Sequence, residues 1–271
     1  MAAQHECDLP LVVVLATCNR PVLLAERSLA SLSAQTRAPD AVVVVDDSDP
    51  LHRARNAAAV KLAAGLPQAE LIPNARTAGA AGAWNTALSW ASARYADCWI
   101  AMLDDDDAWA PRHLELCGAL ARPGVDAVIS GIQLRLYGVL QPWSSPPPMT
   151  FRDFLRGNPG WQGSNTFVRL SRLLEAGAFD EALESTHDRD LAIRLLRLPR
   201  FRATQTGVCT ATYHLDDEPR LSTARSERKR LGLAAFWAKH RALMDDEDAR
   251  AFLDRARHYF GFSPGELGVL P

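Results

Sequence analysis

The 271-residue sequence has no apolar run of membrane length, no net positive charge and no closely spaced cysteine pair. The longest strongly apolar stretches, such as Leu11 to Ala16 and Cys98 to Leu103, are too short for a membrane span, and acids rather than basic residues precede the first. A formal net charge of -2, with arginines interspersed among acids, gives no field for nucleic acid, so DNA and RNA are not expected partners. Five cysteines (Cys7, Cys18, Cys98, Cys117 and Cys209) are odd in number and far apart, which excludes a zinc ribbon and suggests reduced thiols in a cytoplasmic protein. Aromatics are sparse at 7%, but 48% hydrophobic and 23% charged residues are enough for a substantial core.

What the chain does have is four consecutive aspartates, Asp104 to Asp107, directly after an apolar run. Adjacent carboxylates repel one another and are most simply stabilised by a cation or by the donors of a helix start. Pro111 opens a helical stretch, Arg112 to Ala121, so capping accounts for one or two of the acids. It does not account for all four, and the run points to a divalent metal with a phosphate, because hard cations take oxygen ligands and leave positions open for substrate phosphates.

Along the first 110 residues, short β-branched runs alternate with amphipathic, alanine-rich stretches. The runs are Leu11 to Ala16, Ala41 to Val45, Glu70 to Ile72 and Cys98 to Leu103, and the helices roughly Pro21 to Gln35, Leu51 to Ala64 and Gly79 to Tyr95. Such βα units, about thirty residues long, predict an α/β fold with a mostly parallel sheet flanked by helices. Ligands of these sheets bind beyond the carboxyl ends of the strands. There the polar clusters Thr17 to Arg20, Asp46 to Asp49 and Asp104 to Asp107 all fall on one rim. Further on, Ala127 to Leu136 is apolar, Pro142 to Pro148 reads as a loop over the site, Ser171 to Ala176 and Asp188 to Leu198 read as helices, and Glu227 to His258 as two terminal helices.

Val13 to Pro21 with Val43 to Ser48 resembles the opening of the family 2 glycosyltransferases, and Ala101 to Asp107 is similar to that family's Asp-x-Asp element. Ala178-Phe179-Asp180-Glu181 is similar to its Gly-Phe-Asp-Glu segment, and His187-Asp188-Arg189-Asp190 stands where the family carries Glu-Asp-x-Asp. The resemblance covers about residues 10 to 225. It implies a GT-A, Rossmann-like fold and an inverting, non-processive transfer of one sugar from a nucleotide diphosphate to an acceptor hydroxyl. The expected organisation is a nucleotide-sugar half over 1–110, an acceptor and catalytic-base half over 111–225, and C-terminal helices over 226–271.

Carried over residue by residue, the resemblance makes Asp188 the general base, with N-capping as the competing role, and gives His187 the part of acceptor holder or solvated cap. Asp47 matches the nucleobase contact, and Ala16, Cys18, Asn19, Arg76, Asp104, Asp105 and Arg220 are the other expected donor contacts. Cys18 stands where relatives often carry a stacking aromatic, and Trp84 where many carry an arginine. Asp106 is the expected ligand of Mn²⁺ or Mg²⁺. His214 is either a third ligand or a strand-end histidine, and Asp107 is the acid most suited to a helix cap. Asp190 is alternatively an ion-pair partner of Arg194 at i+4. Trp161, Gln162 and Ser164, in a glycine-flanked loop, are expected on the acceptor side, with a core role for Trp161 as the alternative.

The expected donor is a UDP-sugar, ahead of a GDP- or dTDP-sugar, and the acceptor a small molecule or glycan; a homodimer is allowed. Two competing functions are a sugar-phosphate nucleotidyltransferase and an inactive donor-binding relative. The first calls for a glycine-rich loop after the first strand, which Thr17-Cys18-Asn19-Arg20-Pro21 is not.

Overall fold

A computed structural model describes residues 9–63, 65–66, 69–141, 148–215 and 223–269. The proline-rich 142–147 segment, Cys7 and Arg220 lie outside the described residues. Four βα units open the chain: β1 (Leu11–Thr17), β2 (Ala41–Asp46), β3 (Ala69–Pro73) and β4 (Trp99–Asp104). Between the first two strands runs a helical stretch composed of α1 (Pro21–Leu23), a π-helical segment (Leu24–Leu29) and α2 (Ala30–Ser33). The next helices are α3 (Pro50–Leu62) and α4 (Ala80–Ser92). Asp49 caps α3 by accepting the His52 amide at 3.0 Å, and Pro50 supplies the fixed φ of a first helical position.

The chain continues through β5 (Ala108–Trp109), α5 (His113–Leu120), β6 (Ala127–Leu136), β7 (Val139–Leu140) and α6 (Phe151–Arg156). A 3₁₀ turn at Gly163–Asn165 leads into β8 (Thr166–Arg169), followed by α7 (Leu170–Glu175), α8 (His187–Leu196) and β9 (Ala203–His214). Two helices, α9 (Glu227–His240) and α10 (Asp246–Phe260), close it, with 3₁₀ turns at Arg241–Leu243 and Gly265–Leu267.

The sheet order is β3-β2-β1-β4-β8-β6-β9-β5, with β7 paired to β6. From β3 to β4 every pairing is parallel. Beyond β4 the sheet turns mixed: β8 is antiparallel to both β4 and β6, β9 is parallel to β6, and β5 is antiparallel to β9. The mostly parallel sheet expected from the sequence is therefore confined to the first half, and the sheet as a whole is mixed. The short β8 reverses direction because the chain returns to the β4 edge from the opposite end of the sheet.

Period-two alternation divides the strands' apolar residues between two faces. Val12, Val14, Val43, Ile100 and Met102 pack with α4, α8, α9 and α10, while Leu11, Val13 and Leu15 join Val42, Val44, Ala101 and Leu103 on the other face. The terminal helices are part of this core: Phe236 and Phe252 are buried and stack with centroids 5.7 Å apart.

Candidate active site

Register fixes the rim. Ala16 lies opposite both Val45 and Asp104, and Thr17 opposite Asp46, so the ends of β1, β2 and β4 come level at their carboxyl edge. The acid run leaves β4 at this point. Arg20 bridges it, with Nη2 2.7 Å from Asp105 and Nη1 2.7 Å from Asp106, and the Thr17 hydroxyl donates to Asp105 at 2.7 Å. Arg20 was legible only as a member of a rim cluster; its pairing with the acids depends on β1 and β4 being neighbours.

Burial first, then repulsion from Asp106 and Asp105, pushes the Asp104 carboxyl up to about 7. Burial pushes Asp105 up to about 6, against the pull of Arg20. Asp107 is raised well above the usual carboxylate range by burial and then by Asp106 and Asp104. A cluster so short of positive charge suits a cation. Among the described residues, however, no three His, Cys, Asp or Glu side chains gather into a ready-made metal cage. His214, expected as a third ligand or a strand-end residue, ends β9 and meets the run through its backbone amide, which donates to Asp107 at 3.3 Å.

Asp107 departs from expectation. It is buried, accepts the Ser164 hydroxyl at 2.6 Å, and caps no helix, because Ala108–Trp109 pairs with β9 before α5 begins. Ser164, expected on the acceptor side, is held inside the acid cluster, where it also accepts the Asp104 amide at 3.1 Å. Trp161 is core: its ring is buried, lies edge-on to Phe154 and donates to the Thr166 hydroxyl at 2.9 Å, leaving no face for a sugar. Gln162 is half-buried, with its backbone amide bonded to Asn165 at 2.7 Å.

On the donor side, Asp47 accepts the Gly79 amide at 2.6 Å and the Asn74 side chain at 3.0 Å, so it ties β2 to the start of α4. Gly82 in that first turn has no alternative: a Cβ there would lie 1.8 Å from the Thr77 carbonyl oxygen. Cys18 is exposed with Sγ 3.4 Å from the Asp47 carbonyl, and Asn19, in the left-handed region at φ 57°, donates its amide to Ser48 at 2.7 Å. Arg76 is engaged away from the acid run, 3.2 Å from Glu181 and 3.1 Å from the Ser89 hydroxyl. It borders a cavity of about 540 Å³ lined also by Asn85, Asp180, Arg194 and Lys239, which contains neither the acid run nor Asp188.

Asp188 sits in the first turn of α8. It accepts the Asn158 side chain at 2.8 Å and the Arg189 amide at 2.9 Å. The residue that starts the helix, Thr186, is held in the left-handed region at φ 68°, an uncommon state for a β-branched residue and one that clusters at functional sites. His187 points inward: burial lowers its pKa, and Nε2 lies 2.6 Å from the Leu183 carbonyl, to which it donates. With Nε2 engaged inside the fold, the ring is not a solvated cap. Asp190 is 2.7 Å from Arg194, as an i+4 ion pair requires, and is also bonded to His240 at 2.8 Å and Lys239 at 2.7 Å. Burial acts to raise its carboxyl, but these three partners outweigh it and hold the group well below the usual range.

One loop connects the two ends of the site. Asn158 bonds Asp188 at its start, and Gly163 and Ser164 press on Asp104 at its end; a Cβ on Gly163 would come 2.8 Å from the Asp104 carboxylate. Six residues reach about 20 Å when extended. Here Asn158 folds the loop tighter by accepting the amides of Gly160 and Trp161. Neither Asn158 nor its contact carries a sequence signal, since Asn before proline reads simply as a turn.

A parallel first half, an antiparallel strand inserted beside β4 and carboxylates at the β2 and β4 ends together define a GT-A glycosyltransferase. The family 2 glycosyl transferase model matches residues 12–179, and the chain belongs to that family. Solved structures with the same fold include S. aureus TarS residues 1–349 in complex with UDP-GlcNAc (TM-score 0.67, 17% identity, covering 95% of this chain and 74% of that one). Others are the mannosyltransferase PcManGT from Pyrobaculum calidifontis with GDP-Man and Mn²⁺ (0.60, 21%, 97% and 73%) and GalNAc-T7 with UDP, GalNAc and Mn²⁺ (0.60, 14%, 91% and 54%). A comparison with curated protein sequences returns no match. Among the described residues no helix is long and apolar enough to cross a membrane.

The raised pKa of Asp104 has a testable sign. In metal-free protein the acid is protonated in both states below about pH 4, and as pH rises toward 7 the unfolded chain sheds a proton that the folded state retains. Folded wild type is therefore increasingly penalised across that window. Asp104→Asn removes the penalty, so in EDTA the variant gains stability on wild type from pH 4 to 7, and the difference levels off above. Urea unfolding of both proteins at several pH values measures it.

Proposed function

We propose that this glycosyltransferase moves one sugar, with inversion, from a nucleoside diphosphate donor to an acceptor hydroxyl, using a divalent cation at the acid run and Asp188 as general base. The observation that carries the reading is the 158–165 loop, in which Asn158 holds the Asp188 carboxylate at one end and the Ser164 hydroxyl meets the Asp104 and Asp107 carboxylates at the other. An inverting displacement needs this pairing: leaving-group charge is stabilised on one face of the sugar while a base takes the acceptor proton on the other.

In this reading Asp104 and Asp106 present oxygens to Mn²⁺ or Mg²⁺. Such ions are held through one or two carboxylates while substrate phosphates and water complete the shell. A bound cation would neutralise charge on the departing diphosphate. Arg20 holds the Asp105 and Asp106 carboxylates in place. Asp47, Ala16, Cys18 and Asn19 border the nucleoside, and Asn158 orients the Asp188 carboxylate toward the acceptor. Relatives of the same fold hold UDP-GlcNAc, GDP-Man with Mn²⁺, or UDP with Mn²⁺, which supports a nucleotide-sugar donor. A UDP-sugar is the first candidate, with GDP- and dTDP-sugars next.

A thermal-shift screen with UDP, GDP, dTDP and CDP, each with and without Mn²⁺, tests the donor half. A ligand that binds only the folded state at a hundred times its Kd adds about 2.7 kcal/mol of stability. One nucleotide is expected to raise Tm, and to do so more strongly with Mn²⁺. A screen in which none does would remove the donor site.

A further inference from the structure

Around Asp188 the fold gathers cations that it leaves without acids. Lys229 on α9 is 7% exposed, with its ammonium 4.3 Å from the centre of the Phe260 ring. Arg255 on α10 lies across Gly157, where an added Cβ would come within 3.2 Å of its Cδ and Nε; it thus borders Asn158, the residue bonded to Asp188. Arg189, next to Asp188 in α8, is buried against the Phe236 ring, and among the described residues its guanidinium donates to the carbonyls of Phe154 and Leu155 and to no carboxylate. Among the described residues neither Lys229 nor Arg255 has a carboxylate or hydrogen-bond partner for its charged group.

Other half-buried cations nearby are paired. Arg152 and Arg156 of α6 reach Asp248 at 2.8 and 2.6 Å, and Arg194 of α8 reaches Asp190 at 2.7 Å. Among the described residues the exposed Arg250 and Arg257 of α10 also lack an ion pair, but they face water; what sets the surroundings of Asp188 apart is that Lys229 is buried and Arg255 half-buried. Mutual repulsion is felt there: burial, then Arg189, draws Lys229 down to about 8, with Asp188 opposing and Arg255 adding to the effect.

A buried lysine without an acceptor is costly, and packing alone would favour a methionine of similar length. Three cations and Asp188 leave an excess of two positive charges. A phosphate monoester, carrying about -1.5 to -2 near neutral pH, balances that excess, whereas a carboxylate leaves one charge over. We propose that Lys229 and Arg255 bind a phosphate group on the acceptor, close to the hydroxyl that Asp188 deprotonates. The inference rests on the reading of Asp188 as the base and narrows the acceptor class to phosphorylated compounds, soluble or lipid-borne.

The test is a thermal-shift titration of the full chain with glycerol 3-phosphate, with acetate at equal ionic strength as control. Phosphatidic acid vesicles, titrated in a sedimentation assay, provide a lipid-borne source of the same monoester. Wild type should be stabilised by the phosphate ester and not by acetate, and the arm that binds more tightly names the source. Lys229→Met and Arg255→Met should each weaken the response about tenfold or more, in line with loss of a charge-assisted bond. Without ligand, Lys229→Met should melt no lower than wild type; a clearly lower Tm would mean that the ammonium stabilises the free fold through the Phe260 ring and would count against an anion site. Arg255, half-buried, supplies the second variant if the first fails to fold.

Equal protection of wild type and both variants, or equal protection by acetate, overturns the proposal. Turnover by Asp188→Asn is a separate readout. If that variant keeps full activity while Lys229→Met loses the phosphate response, the anion site stands and the catalytic reading falls; the reverse pattern removes only the anion site.

Discussion

Asp188→Asn lowers sugar transfer about 10²- to 10⁴-fold, the range supplied by a positioned general base, or about 2.7–5.4 kcal/mol of barrier. The substitution is nearly isosteric. Its carbonyl oxygen still accepts the Asn158 side chain, so the 158–165 loop and the acid run it supports stay in place. Nucleotide affinity therefore stays within about twofold, and the loss falls on kcat. Steady-state kinetics at saturating donor, with a binding titration of the nucleoside diphosphate alongside, separates the two quantities. An equal loss of binding and turnover would mean that Asp188 shapes the donor site rather than the proton transfer.

Asp106→Asn reduces activity about 10²- to 10³-fold, as expected when one group stabilising leaving-group charge is removed, and abolishes the Mn²⁺ dependence of nucleotide binding. Its effect on the fold runs the other way. Asp106 is the strongest like charge acting on both Asp104 and Asp107, so neutralising it relieves repulsion within the buried cluster, while Arg20 keeps its contact with Asp105. Metal-free Asp106→Asn should accordingly unfold at higher urea than wild type, and added Mn²⁺ should stabilise wild type alone. Opposite changes in stability and activity mark a site whose charges serve a ligand rather than the fold. Urea midpoints in EDTA and in Mn²⁺, set beside initial rates, measure both.

The first half of the fold was open to sequence reading because each βα unit carries its own signal. Val42 to Val45 is a continuous apolar run that a sheet covered on both faces requires, and Asp49-Pro50 announces the helix that follows. In the second half the decisive events are long-range. Thr166–Arg169 is only four residues long, and nothing within it states that it will insert between β4 and β6 and reverse the sheet. The site divides in the same way. The rim acids could be found because three strands end alike, whereas Arg20, Asn158 and the inward turns of Trp161, Ser164 and His187 depend on which elements become neighbours. Asp107 is the clearest case: as the acid nearest a helix start it read as a cap, but the two-residue β5 pairs with β9 and draws it beneath Ser164.

Glycosyl transfer itself is tested most directly by incubating the protein with a panel of nucleotide sugars, in Mn²⁺ and in EDTA, and quantifying nucleoside diphosphate and released or transferred sugar. The account predicts that at least one donor yields the two products in equal amounts, that EDTA suppresses both, and that Asp188→Asn binds the donor without consuming it. Binding without turnover in wild type, or a requirement for a nucleoside triphosphate with release of pyrophosphate, would contradict it.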